Sequence, residues 1–171
     1  MILSEFPLFP QETSDTCADA SARMCIGYYL QKGIVTGKST DVPSEQTLVA
    51  EYGMESIIPI VDGLKDYNGV SFSCTDITSY SAFRQIIENS LSSGHPVVLD
   101  IQTDSTALFG YKTAGHYVVV TGLMCDKEPA ELLINDPYHK DGEGIGQTIR
   151  LSADAVFDTV KYMVCKTSLQ E

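Results

Sequence analysis

The hydrophobic rhythm of the chain changes near its middle. In the first half, apolar positions recur every three or four residues. CADASARMCIGYYLQKG sets Cys17, Ala20, Met24 and Tyr28 on one face at helical spacing, with Asp15 or Thr16 as N-cap and Gly33 as a stop. SEQTLVAEY predicts a second short helix, opened by Ser44 behind Pro43 and closed by Gly53. SAFRQIIENSLSSG predicts a third, with Phe83, Ile86, Ile87 and Leu91 at helical intervals and an end at Gly94. Between them, IIPIVDGLKDYNGV has room for one or two helical turns before an Asn68-Gly69 turn. Ahead of all three helices, the first eleven residues read as an extended lead-in pinned by Pro7 and Pro10.

The second half is built from short runs rich in β-branched residues. PVVLDIQ, GHYVVVTGL, AELLINDP and GQTIRLS are bounded by Gly, Pro or Asp and read as strands. CDKEPA joins the second to the third as a hairpin-type loop, and YHKDGEGIG joins the third to the fourth as a glycine-rich, mobile turn. A last short helix from Ser152 and a strand in KYMVCK close the sheet. Helices come first and mostly antiparallel strands follow, so the fold class is α+β. No repeat or linker divides the chain, and a single domain over residues 1–171 is expected.

Composition narrows the function more by exclusion than by pointing. The 171 residues are 43% apolar and 20% charged, which is ordinary for a globular protein. With 11 basic against 23 acidic side chains the net charge is −12, the wrong sign for binding a phosphate backbone, and no nucleic acid partner is expected. No run approaches the roughly 18 apolar residues of a membrane span. MILSEFPLFPQE has no early Lys or Arg and is interrupted by Glu5, Pro7 and Pro10, so no secretory signal is expected. Five cysteines without a CxxC pair describe neither a zinc knuckle nor a disulfide scaffold. The expected setting is cytoplasmic, or exported without a recognisable N-terminal signal.

Chemistry enters with Cys17. A thiol in the first turn of a helix faces unpaired N–H groups and the positive end of the macrodipole, which favour the thiolate. Cys25 falls inside the same helix among apolar neighbours, and Cys74, Cys125 and Cys165 have no such position. A thiolate nucleophile needs a base, and the base needs an orienter. Of three histidines, His95 sits in a Gly-Pro turn and His139 in the glycine-rich loop, whereas His116 opens the most apolar strand. If ELLINDP returns antiparallel to HYVVVTGL, its end lies beside His116, within reach of Asn135 or Asp136. Adjacent strand residues face opposite ways, so one of the two can orient the histidine, not both. Gln11, six residues before Cys17, carries an amide N–H₂ suited to a developing oxyanion, with the Cys17 backbone N–H as second donor. Gly142, Gly144 and Gly146 lack the strand-loop-helix context of a phosphate loop, and no metal-ligand set or cofactor motif is expected.

In this order, Gln11, Cys17, His116 and Asp136 resemble a known pattern. QETSDTCADASARMCIGYY resembles the Gln-and-Cys motif of papain-like cysteine peptidases of the bacteriocin-processing type, which remove double-glycine leaders, and of their stand-alone relatives. SGHPVVLDI and GHYVVVTGL followed by LLINDPY are similar to that family's core strands and its His and Asp motifs. The resemblance runs from about Gln11 to about Ser152. It implies a bacterial protein of papain-like fold, with a nucleophile-bearing helix packed on an antiparallel sheet. It also implies roles: Gln11 for the oxyanion, Cys17 as nucleophile, His116 as base and Asp136, matching the family's Asp-Pro motif, as orienter. Papain itself uses an asparagine there, which keeps Asn135 as the rival. Ala18 stands where many members have glycine, and residues 34–79 match no substrate-binding motif.

The expected activity is therefore hydrolysis of a peptide or amide bond in a peptide or protein substrate through a Cys17 acyl-enzyme. The same machinery serves deamidation or acyl transfer on a protein side chain. A non-catalytic peptide-binding domain of this fold is the rival of a different class.

Overall fold

In this computed structural model, residues 1–34, 41–53, 70–103, 107–140 and 143–169 are described. Helices α1 (Cys17–Gln31) and α2 (Glu45–Tyr52) come first, then strand β1 (Val70–Asp76) and helix α3 (Tyr80–Ser92). Strands β2 (Val97–Ile101), β3 (His116–Met124), β4 (Glu131–Asp136), β5 (His139–Lys140), β6 (Glu143–Gly144) and β7 (Gln147–Ser152) follow. Helix α4 (Ala153–Phe157) and strand β8 (Val160–Leu169) end the description. One antiparallel sheet has the order β1-β8-β2-β3-β4-β7. The class is α+β, as the sequence predicts.

The caps explain where the helices start and stop. Ser44 accepts the Thr47 N–H at 3.1 Å and Ser79 accepts the Ala82 N–H at 3.1 Å, each satisfying one orphan donor. Gly53 and Gly94, at φ 86° and 79°, end α2 and α3 in a backbone region that side chains disfavour. Cys17 is the first residue of α1, behind Thr16.

Helix α1 departs from the one-faced pattern. Ala18 to Ala22 and Met24 to Tyr29 are all buried, including Asp19 and Ser21. The sheet covers one side, with α1 packed chiefly on β3. The lead-in covers another: Phe6 stacks on Tyr28 at 4.9 Å, and the Arg23 guanidinium lies 5.0 Å over the Phe9 ring. Gly27 permits that approach, because a Cβ there would meet the Phe9 ring at 3.0 Å. A helix wrapped on both sides has no solvent stripe, so its sequence has little amphipathic contrast.

Two elements differ from expectation. VSFSCTD forms β1, an edge strand paired with β8, although its polar run after Phe72 hides the strand period. The glycine-rich loop expected to be a mobile turn carries a short hairpin, with His139 opposite Gly144 and Lys140 opposite Glu143. The helical turn anticipated in IIPIVDGLKDYNGV falls on residues 57–69, outside the described residues, while Val70 opens β1.

Candidate active site

The site forms where the start of α1 meets the start of β3 and the end of β4. The Ser21 hydroxyl donates to the Tyr117 carbonyl at 3.1 Å, fixing α1 against β3 one residue from His116. Strands β3 and β4 pair antiparallel, with Val119 opposite Asn135 and a register shift between Val120 and Gly122. That hairpin returns the end of β4 to His116. His116 is 6% exposed, and its Nε2 lies 2.7 Å from Asp136 Oδ1.

Cys17 is half-buried and lies close enough to act on the His116 ring. Burial alone would lower the imidazole pKa, but hydrogen bonds and charge from Asp136 and Cys17 outweigh it and raise His116 from 6.5 to about 9. With its pKa raised to about 9, the His116 ring carries its second proton at neutral pH.

The strand-parity argument has a definite outcome. Asp136 faces His116, and Asn135 faces away: its Nδ2 donates to the Pro7 carbonyl at 3.1 Å and its Oδ1 accepts from Thr148 at 3.0 Å. Asn135 ties the lead-in to the sheet.

Gln11 is buried, and its backbone N–H donates to the Pro137 carbonyl at 2.8 Å, one residue beyond Asp136. Its side-chain Nε2 donates to the Thr13 carbonyl at 2.6 Å, which uses one of two amide hydrogens, and its Oε1 has no hydrogen-bond partner among the described residues. It lines a cavity of about 170 Å³ with Tyr111, His116 and Tyr138. Cys17 opens onto a neighbouring cleft of about 560 Å³, with Asp15, Asp100, Tyr117 and Lys161. Ser14 lines both. The N–H groups of the first turn of α1 have no intrahelical partners, so they supply further donors beside the thiol.

The other candidates stay apart from this site. Cys25 is fully buried, which pushes its thiol pKa well up, and Cys125 is exposed. His95 bonds Tyr29 through Nδ1 at 2.9 Å and is a packing residue, with its pKa lowered by burial and by Lys166. The side chains of His139 and Cys165 lie outside the described residues. Among the described residues, no cluster of three or more His, Cys, Asp or Glu is arranged to hold a metal ion, and no helix is long and apolar enough to cross a membrane.

Three residues around Asp136 escaped the sequence reading. Tyr111 and Gln147 donate to Asp136 Oδ2 at 2.8 and 2.9 Å, and the Tyr138 backbone N–H donates to Oδ1 at 3.0 Å. Gln147 was within reach of sequence logic, since it is the residue opposite Asp136 when β4 and β7 pair. Tyr111 sits in a loop and gives no periodic signal.

A buried helix that starts on a cysteine, packed on an antiparallel sheet that carries a His–Asp pair, defines the papain-like class. Residues 3–162 match the Peptidase_C39 like family, and the chain belongs to it. Membership suggests cysteine-peptidase activity. Among solved structures, the crystal structure of UfSP from C. elegans shares the fold, with a TM-score of 0.60 at 16% sequence identity. The match covers 96% of this chain and 32% of that one, so this chain spans about a third of its length. No curated protein matched the chain.

Proposed function

We propose that the chain, acting as a single domain over residues 1–171, hydrolyses a peptide or amide bond. Cys17 is the nucleophile, His116 the base and acid, Asp136 the orienter and Gln11 an oxyanion donor. The observation that supports this reading most is the buried His116–Asp136 hydrogen bond at 2.7 Å, with Cys17 close enough to act on the same ring.

His116 takes the Cys17 proton, leaving a thiolate beside an imidazolium. The thiolate attacks the substrate carbonyl carbon, forming a C–S bond and pushing the π pair onto oxygen. The free Nε2 hydrogen of Gln11 and the N–H groups at the start of α1 hold that oxyanion. His116 then gives its proton to the departing nitrogen as the C–N bond breaks, leaving a thioester. Water attacks the thioester, His116 takes a proton from it, and the carboxylic acid leaves as the C–S bond breaks.

Site-resolved iodoacetamide labelling by mass spectrometry across about pH 5 to 9 tests the pair before any substrate is known. Cys17 should label faster than Cys125 at the acidic end and lose that advantage in His116→Ala. Equal labelling of Cys17 and Cys125 in the unaltered protein overturns the reading. With the pair established, a peptide library gives the bond cleaved, and ammonia release without chain cleavage would redirect the assignment to a side-chain deamidase.

A further inference from the structure

Asp136 is held on both of its oxygens. Oδ1 accepts from His116 Nε2 at 2.7 Å and from the Tyr138 N–H at 3.0 Å. Oδ2 accepts from the Tyr111 hydroxyl at 2.8 Å and from Gln147 Nε2 at 2.9 Å. A carboxylate with donors on one oxygen alone can swing about its terminal bond and break the bond to the imidazole. Donors on both oxygens block that rotation.

We propose that Tyr111 is a positioning residue, which sets the orientation of Asp136 and through it the ring of His116. The inference rests on the catalytic reading above and deepens it. Tyr111 is built for the task in three ways. Its ring stacks on Tyr138 at 4.0 Å and 6°, which immobilises it from one side. It also meets the His116 ring edge to face at 5.5 Å and 85°, which limits the turning of the imidazole.

The backbone beneath it is also tied down: the Tyr111 carbonyl accepts from Thr103 Oγ1 at 3.1 Å, and the Thr113 N–H donates to the same Oγ1 at 3.0 Å. Gln147 Nε2 adds a bond to the Phe109 carbonyl at 3.3 Å, so one amide staples the loop and Asp136 together. Burial and the neighbouring Asp136 charge push the Tyr111 pKa well above its ordinary value, which keeps the hydroxyl a donor. The aromatic wall therefore acts on His116 directly by contact and indirectly through Asp136.

Tyr111→Phe tests this, because it keeps the ring and removes one hydrogen bond. Two readouts are needed, each on the purified full chain. The first is the pH profile of Cys17 alkylation, and the second is the titration of the His116 ring carbon by NMR. In Tyr111→Phe, alkylation at pH 6 should slow about tenfold, the scale of one charge-assisted hydrogen bond. The His116 titration, expected near 9 in the unaltered protein, should move down by about one pH unit.

Tyr111→Leu, which also loses the stack, should show both changes more strongly. If Tyr111→Phe melts earlier but keeps both pH profiles, Tyr111 is only structural and the inference fails. An upward move of the His116 titration also overturns it, since that would mean the hydroxyl merely withdraws charge from Asp136. If Cys17 shows no preference over Cys125 even in the unaltered protein, the catalytic reading falls, and this inference falls with it.

Discussion

Asp136 and Asp19 are both 0% exposed, yet they live in opposite electrostatic circumstances. Asp136 accepts four hydrogen bonds, from His116, Tyr111, Tyr138 and Gln147. Asp19, two residues past Cys17 in the first turn of α1, has no side-chain hydrogen-bond partner among the described residues beyond its own backbone N–H. Burial pushes its pKa up to about 7, against that N–H, and the charge of Glu45 adds to the rise.

Glu45 is itself buried and shifted upward, chiefly by burial. It is better served: its Oε2 accepts the Glu12 N–H at 2.9 Å, and Arg23 lies 3.6 Å from Oε1. Burial is common to all three carboxylates, so burial does not mark the one proposed to orient His116. Converging donors do.

Removing Asp136 should break this contrast most severely. Asp136→Ala leaves a Tyr hydroxyl, a Gln amide and an imidazole facing an empty space. The expected loss is about 3–5 kcal/mol of stability by chemical denaturation, together with the pH 6 alkylation advantage of Cys17. Survival of that advantage would mean His116 is oriented by something else.

The pH dependence of His116 comes next in size. Its folded pKa stands above its unfolded value, so its contribution to stability is fully present below about 6.5 and is lost as pH rises through about 9. The Cys17 alkylation advantage and any peptidase turnover should fall off along the same basic limb. A limb that stays in place in His116→Ala would belong to another group.

Asp19 has the opposite sign of effect on stability. Its raised folded pKa means that destabilisation accumulates as pH climbs from about 4 to about 7. Asp19→Asn should therefore leave stability near pH 4 little changed and gain on the order of 1 kcal/mol above pH 7, about 2–4 °C in melting temperature. A variant that melts lower at pH 8 would show that the carboxylate is needed at the helix start. The smallest effect belongs to Cys125→Ser, an exposed position away from the site, which should alter stability by less than about 0.5 kcal/mol. It should leave Cys17 labelling unchanged, which makes it the control for the series.

The sequence reading succeeded where one local rule acts on one element. Cap residues located α2 and α3, hairpin logic paired β3 with β4, and strand parity set Asn135 and Asp136 on opposite faces, the choice between them resting on the family resemblance. It faltered where a neighbour decides the outcome. β1 is legible only beside β8, because four of its seven residues are exposed and polar or small, and its partner supplies the pairing. The burial of Asp19 could not be read from CADASARM, since it depends on the lead-in and α2 closing over α1. Tyr111 is a similar case: its role comes from a loop fold that brings its hydroxyl to Asp136, and neither period nor spacing encodes that.

The place of β8 between β1 and β2 has a kinetic consequence. The sheet's interior is completed by residues 160–169, which pair with residues 70–76 on one side and 97–101 on the other. Both pairings close long loops, so the sheet assembles from non-local contacts, the topology associated with millisecond-to-second folding. Until β8 inserts, β2 has an open edge, and β2 is the strand that flanks β3 and so supports His116. A nascent chain carries Cys17 in the first turn of α1 early on, while the strand support behind His116 waits for residues 160–169. The proposed pairing of thiol and imidazole therefore depends on a strand that is synthesised after both of them.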